Sequence, residues 1–121
     1  MTQMILVIAD DIFMQEALGD LLQYEGFTRV VAKDRAEGLR IFCQRQKEVS
    51  LVVLDIGAAN DVDFTLYDDL QAVDPSVKLL VSTSYDEREV KRRYREKVPF
   101  QVLYKPYDAQ SFLDTVSRMR A

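Results

Sequence analysis

The sequence predicts a doubly wound α/β domain of five strand–helix units. Two observations carry this. Short apolar runs rich in β-branched residues alternate along the whole chain with segments of helical periodicity. The runs are continuously apolar rather than alternating, as expected for parallel strands covered on both faces.

The elements follow in order. Strands are expected near Met4–Ala9, Arg29–Ala32, Leu51–Leu54, Lys78–Ser82 and Gln101–Tyr104. The first helix spans about Ile12–Tyr24, with Leu18, Leu21 and Leu22 on one face and Gly26 just past its end. The second opens at Asp34, with Glu37 three residues on as a capping-box partner. Its inner stripe is Ala36, Leu39 and Phe42 or Cys43, with Cys43 expected as a small buried residue. The third covers about Phe64–Val73 and stops before Pro75. The fourth starts after Asp86, pairs it with Glu89, and turns Val90 and Tyr94 to one side. The fifth runs from Asp108 toward Met119, with Phe112, Leu113, Val116 and Met119 inward.

This is (βα)5 with right-handed crossovers. With a flavodoxin-like strand order, 2-1-3-4-5, ligands belong at the carboxyl edge between strands one and three. The expected organisation is one domain over residues 1–121, with no repeat or low-complexity segment.

Composition narrows the chemistry. The chain has 121 residues, 48% of them hydrophobic and 30% charged, and a formal net charge of −4. That balance argues against nonspecific nucleic-acid binding. The single cysteine, Cys43, forbids an internal disulfide and fits a reducing compartment. No run approaches the roughly 20 apolar residues of a membrane span, and no signal layout opens the chain, so the cytoplasm is the expected location. Histidine is absent, which excludes imidazole metal sites, His-based triads and a phosphohistidine in this chain.

Five residues follow apolar runs and would meet at one edge of the sheet: Asp10, Asp11, Asp55, Thr83 and Lys105. Two carboxylates about 4 Å apart repel by on the order of 4 kcal/mol at an effective dielectric of roughly 20. The cluster therefore calls for a cation. Mg²⁺ suits it, with Asp11 and Asp55 as direct ligands and Asp10 direct or through water. A carboxylate can attack phosphorus to form an acyl phosphate. Mg²⁺ and Lys105 would stabilise the phosphoryl oxygens, and the Thr83 hydroxyl would bind one of them. Asp55, ending the central strand, is the expected nucleophile.

This constellation resembles the response-regulator receiver domain of two-component signalling, over essentially the whole chain. The matching residues are the acidic pair Asp10-Asp11, the phosphoacceptor Asp55, the hydroxyl Thr83 in TSYDE, and Lys105 of Lys105-Pro106. The intervals fit: 83 − 55 = 28 and 105 − 83 = 22. The resemblance implies phosphoryl transfer to Asp55 from the phosphohistidine of a partner histidine kinase or phosphotransfer protein, with Mg²⁺ and the backbone carbonyl of Gly57 as a further ligand. It implies a regulatory phosphoacceptor rather than a metabolic enzyme. It also implies a downstream effector, a candidate homodimer surface on helix 4, strand 5 and helix 5, and a cis Lys105–Pro106 bond. No direct nucleic-acid or membrane contact is expected.

The chain departs from the family pattern in places. Ala58 and Ala59 stand where Met and Pro are usual, and Ser84 stands where a small residue, usually Ala, follows the switch hydroxyl. Val102 stands where an aromatic three residues before the lysine is usual, and Tyr104 shares its side of the strand. These departures motivate a second reading, a degenerate receiver acting as a phosphorylation-independent interaction module. A flavodoxin-like cofactor binder fits less well, because no glycine- or hydroxyl-rich phosphate loop follows the first strand.

Simpler roles compete at single positions. Asp10-Asp11 suits helix capping. Tyr85 suits either a gate over the site or an ordinary loop aromatic. Asp61–Thr65 spells DxDxT, a phosphatase nucleophile motif, but GAAN separates it from its strand, and Asp61 and Asp63 suit helix caps. The basic run Arg88–Lys97 suits a solvated helix face or a partner surface.

Overall fold

The computed structural model of the protein describes residues 3–56, 65–94 and 99–120. The elements run β1 (Met4–Ile8), α1 (Ile12–Tyr24), β2 (Arg29–Ala32), α2 (Arg35–Arg45), β3 (Val49–Ile56), α3 (Thr65–Val73), β4 (Leu79–Thr83), α4 (Glu87–Tyr94), β5 (Gln101–Tyr104) and α5 (Ala109–Arg120). All strand pairs are parallel, in the order β2-β1-β3-β4-β5. The expected fold class and strand order are both observed.

Local sequence explains the helix ends. Asp11 caps α1 by accepting from Phe13 N–H at 2.8 Å, and Asp34 caps α2 by accepting from Glu37 N–H at 2.8 Å. Glu37 answers by accepting from Lys33 N–H at 3.2 Å. Asp86 and Asp108 do the same for α4 and α5, accepting from Glu89 N–H at 2.8 Å and Ser111 N–H at 2.7 Å. At the other end of α1, Gly26 has φ of 86°. Its N–H reaches Gln23 O, and Phe27 N–H reaches Leu22 O, the paired bonds of a Schellman stop that only glycine enters without strain.

Alternation along the strands sorts the core into two layers. Leu6, Ile8, Val52, Leu54, Ile56, Leu79 and Val81 face one way, over Phe42, Leu66, Leu70 and Val90 of α2, α3 and α4. Ile5, Val7, Leu51, Val53 and Leu80 face the other, over Leu18, Leu22, Phe112 and Val116 of α1 and α5. The central strands β1, β3 and β4 are buried along almost their whole length, whereas the edge strands β2 and β5 are half-exposed. The expectation of runs covered on both faces therefore holds for the centre and not for the edges.

Three expectations are corrected. β3 is longer than Leu51–Leu54, because Val49 still pairs with Met4 and Asp55 and Ile56 still pair with Ser82 and Thr83. Asp55 and Thr83 thus lie inside strands rather than after them. Cys43 is exposed, not buried, and so is Ala36. The reason is helical phase: Gly38 and Phe42 are the buried positions of α2, and Ala36, Arg40, Cys43 and Lys47 share the opposite, solvent-facing side. Gly38 is where α2 comes closest to the sheet. A Cβ there would collide with Cδ1 and Cγ1 of Ile8.

Candidate phosphoacceptor site

The carboxyl ends of β1, β3, β4 and β5 bring the candidate residues to one edge. Val52, Val53 and Leu54 precede Asp55 and are all buried. Burying each is worth about 1.5–3 kcal/mol, enough to carry one carboxylate into the sheet if that carboxylate is compensated. Lys105 and Ser82 supply that compensation. The Asp55 side chain is only 3% exposed, and Lys105 Nζ lies 2.7 Å from its Oδ1. Ser82, fully buried one strand away, donates its hydroxyl to the same Oδ1 at 3.1 Å.

Register explains this grouping. Asp55 pairs with Ser82 across β3–β4, and Ser82 pairs with Leu103 across β4–β5. Parallel partners project to the same face, so Asp55, Ser82 and, two residues past Leu103, Lys105 all emerge on the α1–α5 side. Thr83 pairs with Ile56 and Tyr104, and so emerges on the α4 side. It is fully buried, and its Oγ1 accepts from Tyr85 N–H at 3.1 Å. The five residues therefore meet at one edge but not in one cluster. Tyr85 is partly buried against the α4-side layer, as are Val102 and Tyr104. Thr83 O accepts from Lys105 N–H at 2.8 Å, which ties the two strand ends together. The Lys105–Pro106 bond is cis, as the family resemblance implied.

Asp10 and Asp11 sit exposed at the end of β1, beside β3. Of the two roles open to Asp11, the capping one is observed: its Oδ1 caps α1. Among the described residues no three acidic side chains close into a metal cage. The donor set nevertheless fits Mg²⁺. It is all oxygen, and the described contacts of Asp55 fall on Oδ1, leaving Oδ2 for another partner. Mg²⁺ takes one or two carboxylates and fills its other positions with water or phosphate oxygens, so it needs no preformed cage. Gly57, Ala58, Ala59, Asp61 and Asp63 lie outside the described residues.

Two residues that the sequence reading passed over belong to this site. Ser82 is one, and Tyr107 is the other: its phenol oxygen lies 2.6 Å from Ser82 Oγ. Burial raises the Tyr107 phenol pKa above its ordinary value. The charge of Asp55 adds to that shift. The signal was present in the alternation Leu80–Ser82 beside Val53–Asp55, but it is readable only once the register is known. Ile12 and Phe13, 61% and 78% exposed, flank the acidic pair with apolar surface.

A buried carboxylate held by a lysine at the carboxyl edge of a 2-1-3-4-5 sheet meets its decisive comparison in sequence: the family model of the response regulator receiver domain matches residues 5–117. The chain belongs to the response regulator receiver family. Among curated relatives this receiver is 26% identical over 112 residues to the transcriptional regulatory protein GlrR of Escherichia coli K12, covering 93% of the chain and 25% of GlrR. QseF of Escherichia coli O157:H7 gives the same figures. The chain thus spans a quarter of the length of the curated relatives it matches. Solved structures agree on the fold. A receiver domain protein from Clostridium thermocellum superposes with a TM-score of 0.84 at 21% identity, covering 98% of this chain and 94% of that one. CheY of Borrelia burgdorferi, solved with CheX, BeF3 and Mg²⁺, gives 0.82 at 20%, covering 98% and 90%. No helix among the described residues of the receiver is long and apolar enough to cross a membrane.

Proposed function

We propose that this receiver is a phosphorylation switch in which Asp55 accepts a phosphoryl group. The observation that carries the reading is the buried Asp55 carboxylate paired at 2.7 Å with Lys105 at the open edge of the sheet. Asp10, Asp11 and Asp55 would hold Mg²⁺, with Gly57 contributing its carbonyl, and the ion would neutralise charge on the phosphoryl oxygens. Lys105 adds the protein's own positive charge there. Thr83, whose Oγ1 accepts from Tyr85 N–H, would donate its hydroxyl proton to a phosphoryl oxygen, which would couple the site to the start of α4.

The donor is a partner histidine kinase or phosphotransfer protein, in keeping with the absence of histidine here. Ile12 and Phe13 offer apolar surface for it beside the acidic pair. The recipient of the signal is an effector protein or domain, reached in the cytoplasm through the α4–β5–α5 face of this single domain, which would also be the homodimer surface. The basic residues described on α4 are partly self-neutralised. Lys91 pairs with Glu87 at 2.9 Å and Arg92 with Glu89 at 2.7 Å, both exposed. Such pairs are worth little and leave the helix free to exchange partners.

Incubation with Mg²⁺ and acetyl phosphate or beryllofluoride, followed by intact mass and amide NMR, tests the switch. Wild type gains one phosphoryl mass or shifts its spectrum, and Asp55→Asn does neither. No Asp55-dependent change rejects the reading. It would favour the phosphorylation-independent interaction module, which Val102 in the usual aromatic position supports.

A further inference from the structure

We propose that Ser82 and Tyr107 form a hydroxyl relay that positions Asp55 and reports its state to the groove between α1 and α5. The inference rests on the phosphoacceptor reading, but its geometry is independent of Thr83.

Donor counting fixes the direction of the relay. An ionised carboxylate only accepts hydrogen bonds. The single Ser82 proton is therefore committed to Asp55 Oδ1, 3.1 Å away. Ser82 can then only accept from Tyr107, whose hydroxyl must be the donor across the 2.6 Å contact. The chain runs from Tyr107 O–H to Ser82 Oγ, and from Ser82 O–H to Asp55 Oδ1. Each link is built into rigid structure. Ser82 is fully buried in β4, and the Tyr107 ring stacks on Phe112 of α5 at 6.2 Å and 21°.

The relay has a consequence for the reaction. Oδ1 has two lone-pair directions and two donors, Lys105 and Ser82. Oδ2 is then the oxygen presented for attack. With acetyl phosphate as donor, Oδ2 forms the new bond to phosphorus as the donor's P–O bond breaks, and acetate leaves with the electron pair. No proton need move. The charge attracting Lys105 shifts onto the phosphoryl group, leaving Ser82 as the partner of an uncharged carbonyl Oδ1. A hydrogen bond to an ion becomes one to a neutral acceptor and weakens. Tyr107 feels that change through Ser82. Its ring lines a shallow apolar groove with Met14, Leu18, Leu21 and Pro106, so the effect arrives on the α1–α5 side of the sheet.

Tyrosine labelled with ¹³C at Cζ provides the test, with the Tyr107 signal among the six tyrosines assigned by its loss in Tyr107→Phe. Asp55→Asn is expected to shift that signal clearly more when Ser82 is present than in a Ser82→Ala background, where only the direct field of the Asp55 charge is lost. An equal response in both backgrounds, or none in either, overturns the relay. Initial rates of phosphorylation by acetyl phosphate should fall about three- to tenfold in Ser82→Ala and about two- to threefold in Tyr107→Phe, with Ser82→Thr restoring most of the loss. A Ser82→Ala rate equal to wild type overturns the positioning role. A wild-type protein that takes no phosphoryl group would reject the phosphoacceptor reading, while the NMR comparison still decides the relay.

Discussion

The two faces of the sheet meet the same strand ends with different chemistry. On the α4 side, the face that also carries Tyr85, Val102 and Tyr104, Thr83 is buried and its described bond is local, to the backbone two residues on. On the α1–α5 side, Asp55, Lys105, Ser82 and Tyr107 are linked by side-chain contacts of 2.6–3.1 Å. The difference teaches that one face is already linked side chain to side chain with the Asp55 carboxylate, whereas the described bond of Thr83 on the other stays within its own loop. Val102 packs on that second face.

The sharpest way to break this comparison is to remove its centre. Asp55→Ala is expected to abolish phosphorylation completely by intact mass. Lys105→Met should slow phosphorylation by about 100-fold or more, since it removes a charge aimed at the transferring group. It should also destabilise the fold by about 1–3 kcal/mol in urea titrations, because a buried carboxylate loses its ion partner while Lys105 itself is partly solvated. Thr83→Ala should leave phosphorylation within about threefold of wild type and cost about 1 kcal/mol through loss of the hydrogen bond from Tyr85 N–H. Its diagnostic effect is spatial: amide shifts on phosphorylation should shrink along α4 and β5 and persist along Tyr107–Phe112. Loss of both sets together would mean that the faces are not separate.

The smallest effect lies at alkaline pH. Burial raises the Tyr107 phenol pKa, so the folded state keeps its proton where the unfolded chain has released it. That stability is complete below the unfolded value of about 10 and is lost as pH rises through the folded one. Tyr107→Phe should therefore lose stability less steeply above about pH 10 in denaturant titrations. An identical slope would place the phenol in a less buried setting than the α1–α5 face provides.

The strand–helix units and two helix caps were legible in sequence because they rest on short-range pattern: apolar runs, Asp three residues before Glu, Gly26 after a periodic run; the strand order and the edge it gathers came from the flavodoxin-like fold class. Lys105 beside Asp55 was legible through motif spacing. Ser82 and Tyr107 were not, since a serine in an apolar run and a tyrosine after a turn proline acquire meaning only through cross-strand register. The burial of Cys43 was misjudged because Phe42 and Cys43 are adjacent in sequence but about 100° apart around the helix. Thr83 was placed with Asp55 because both end strands; alternation puts their side chains on opposite faces.

The close approach of Gly38 to Ile8 has a bearing on which sequences can be reached from this one. Any side chain at position 38 must displace a buried isoleucine two residues before Asp10. Gly38→Ala alone should cost about 1–3 kcal/mol by overpacking. Ile8→Val first, at about 0.5–1.5 kcal/mol, opens part of the space that the methyl needs. The double variant should then be less destabilised than the sum of the two, a coupling measurable as a double-mutant cycle. The order of substitution decides how far the intermediate is destabilised, so this contact favours mutational paths that change Ile8 before Gly38.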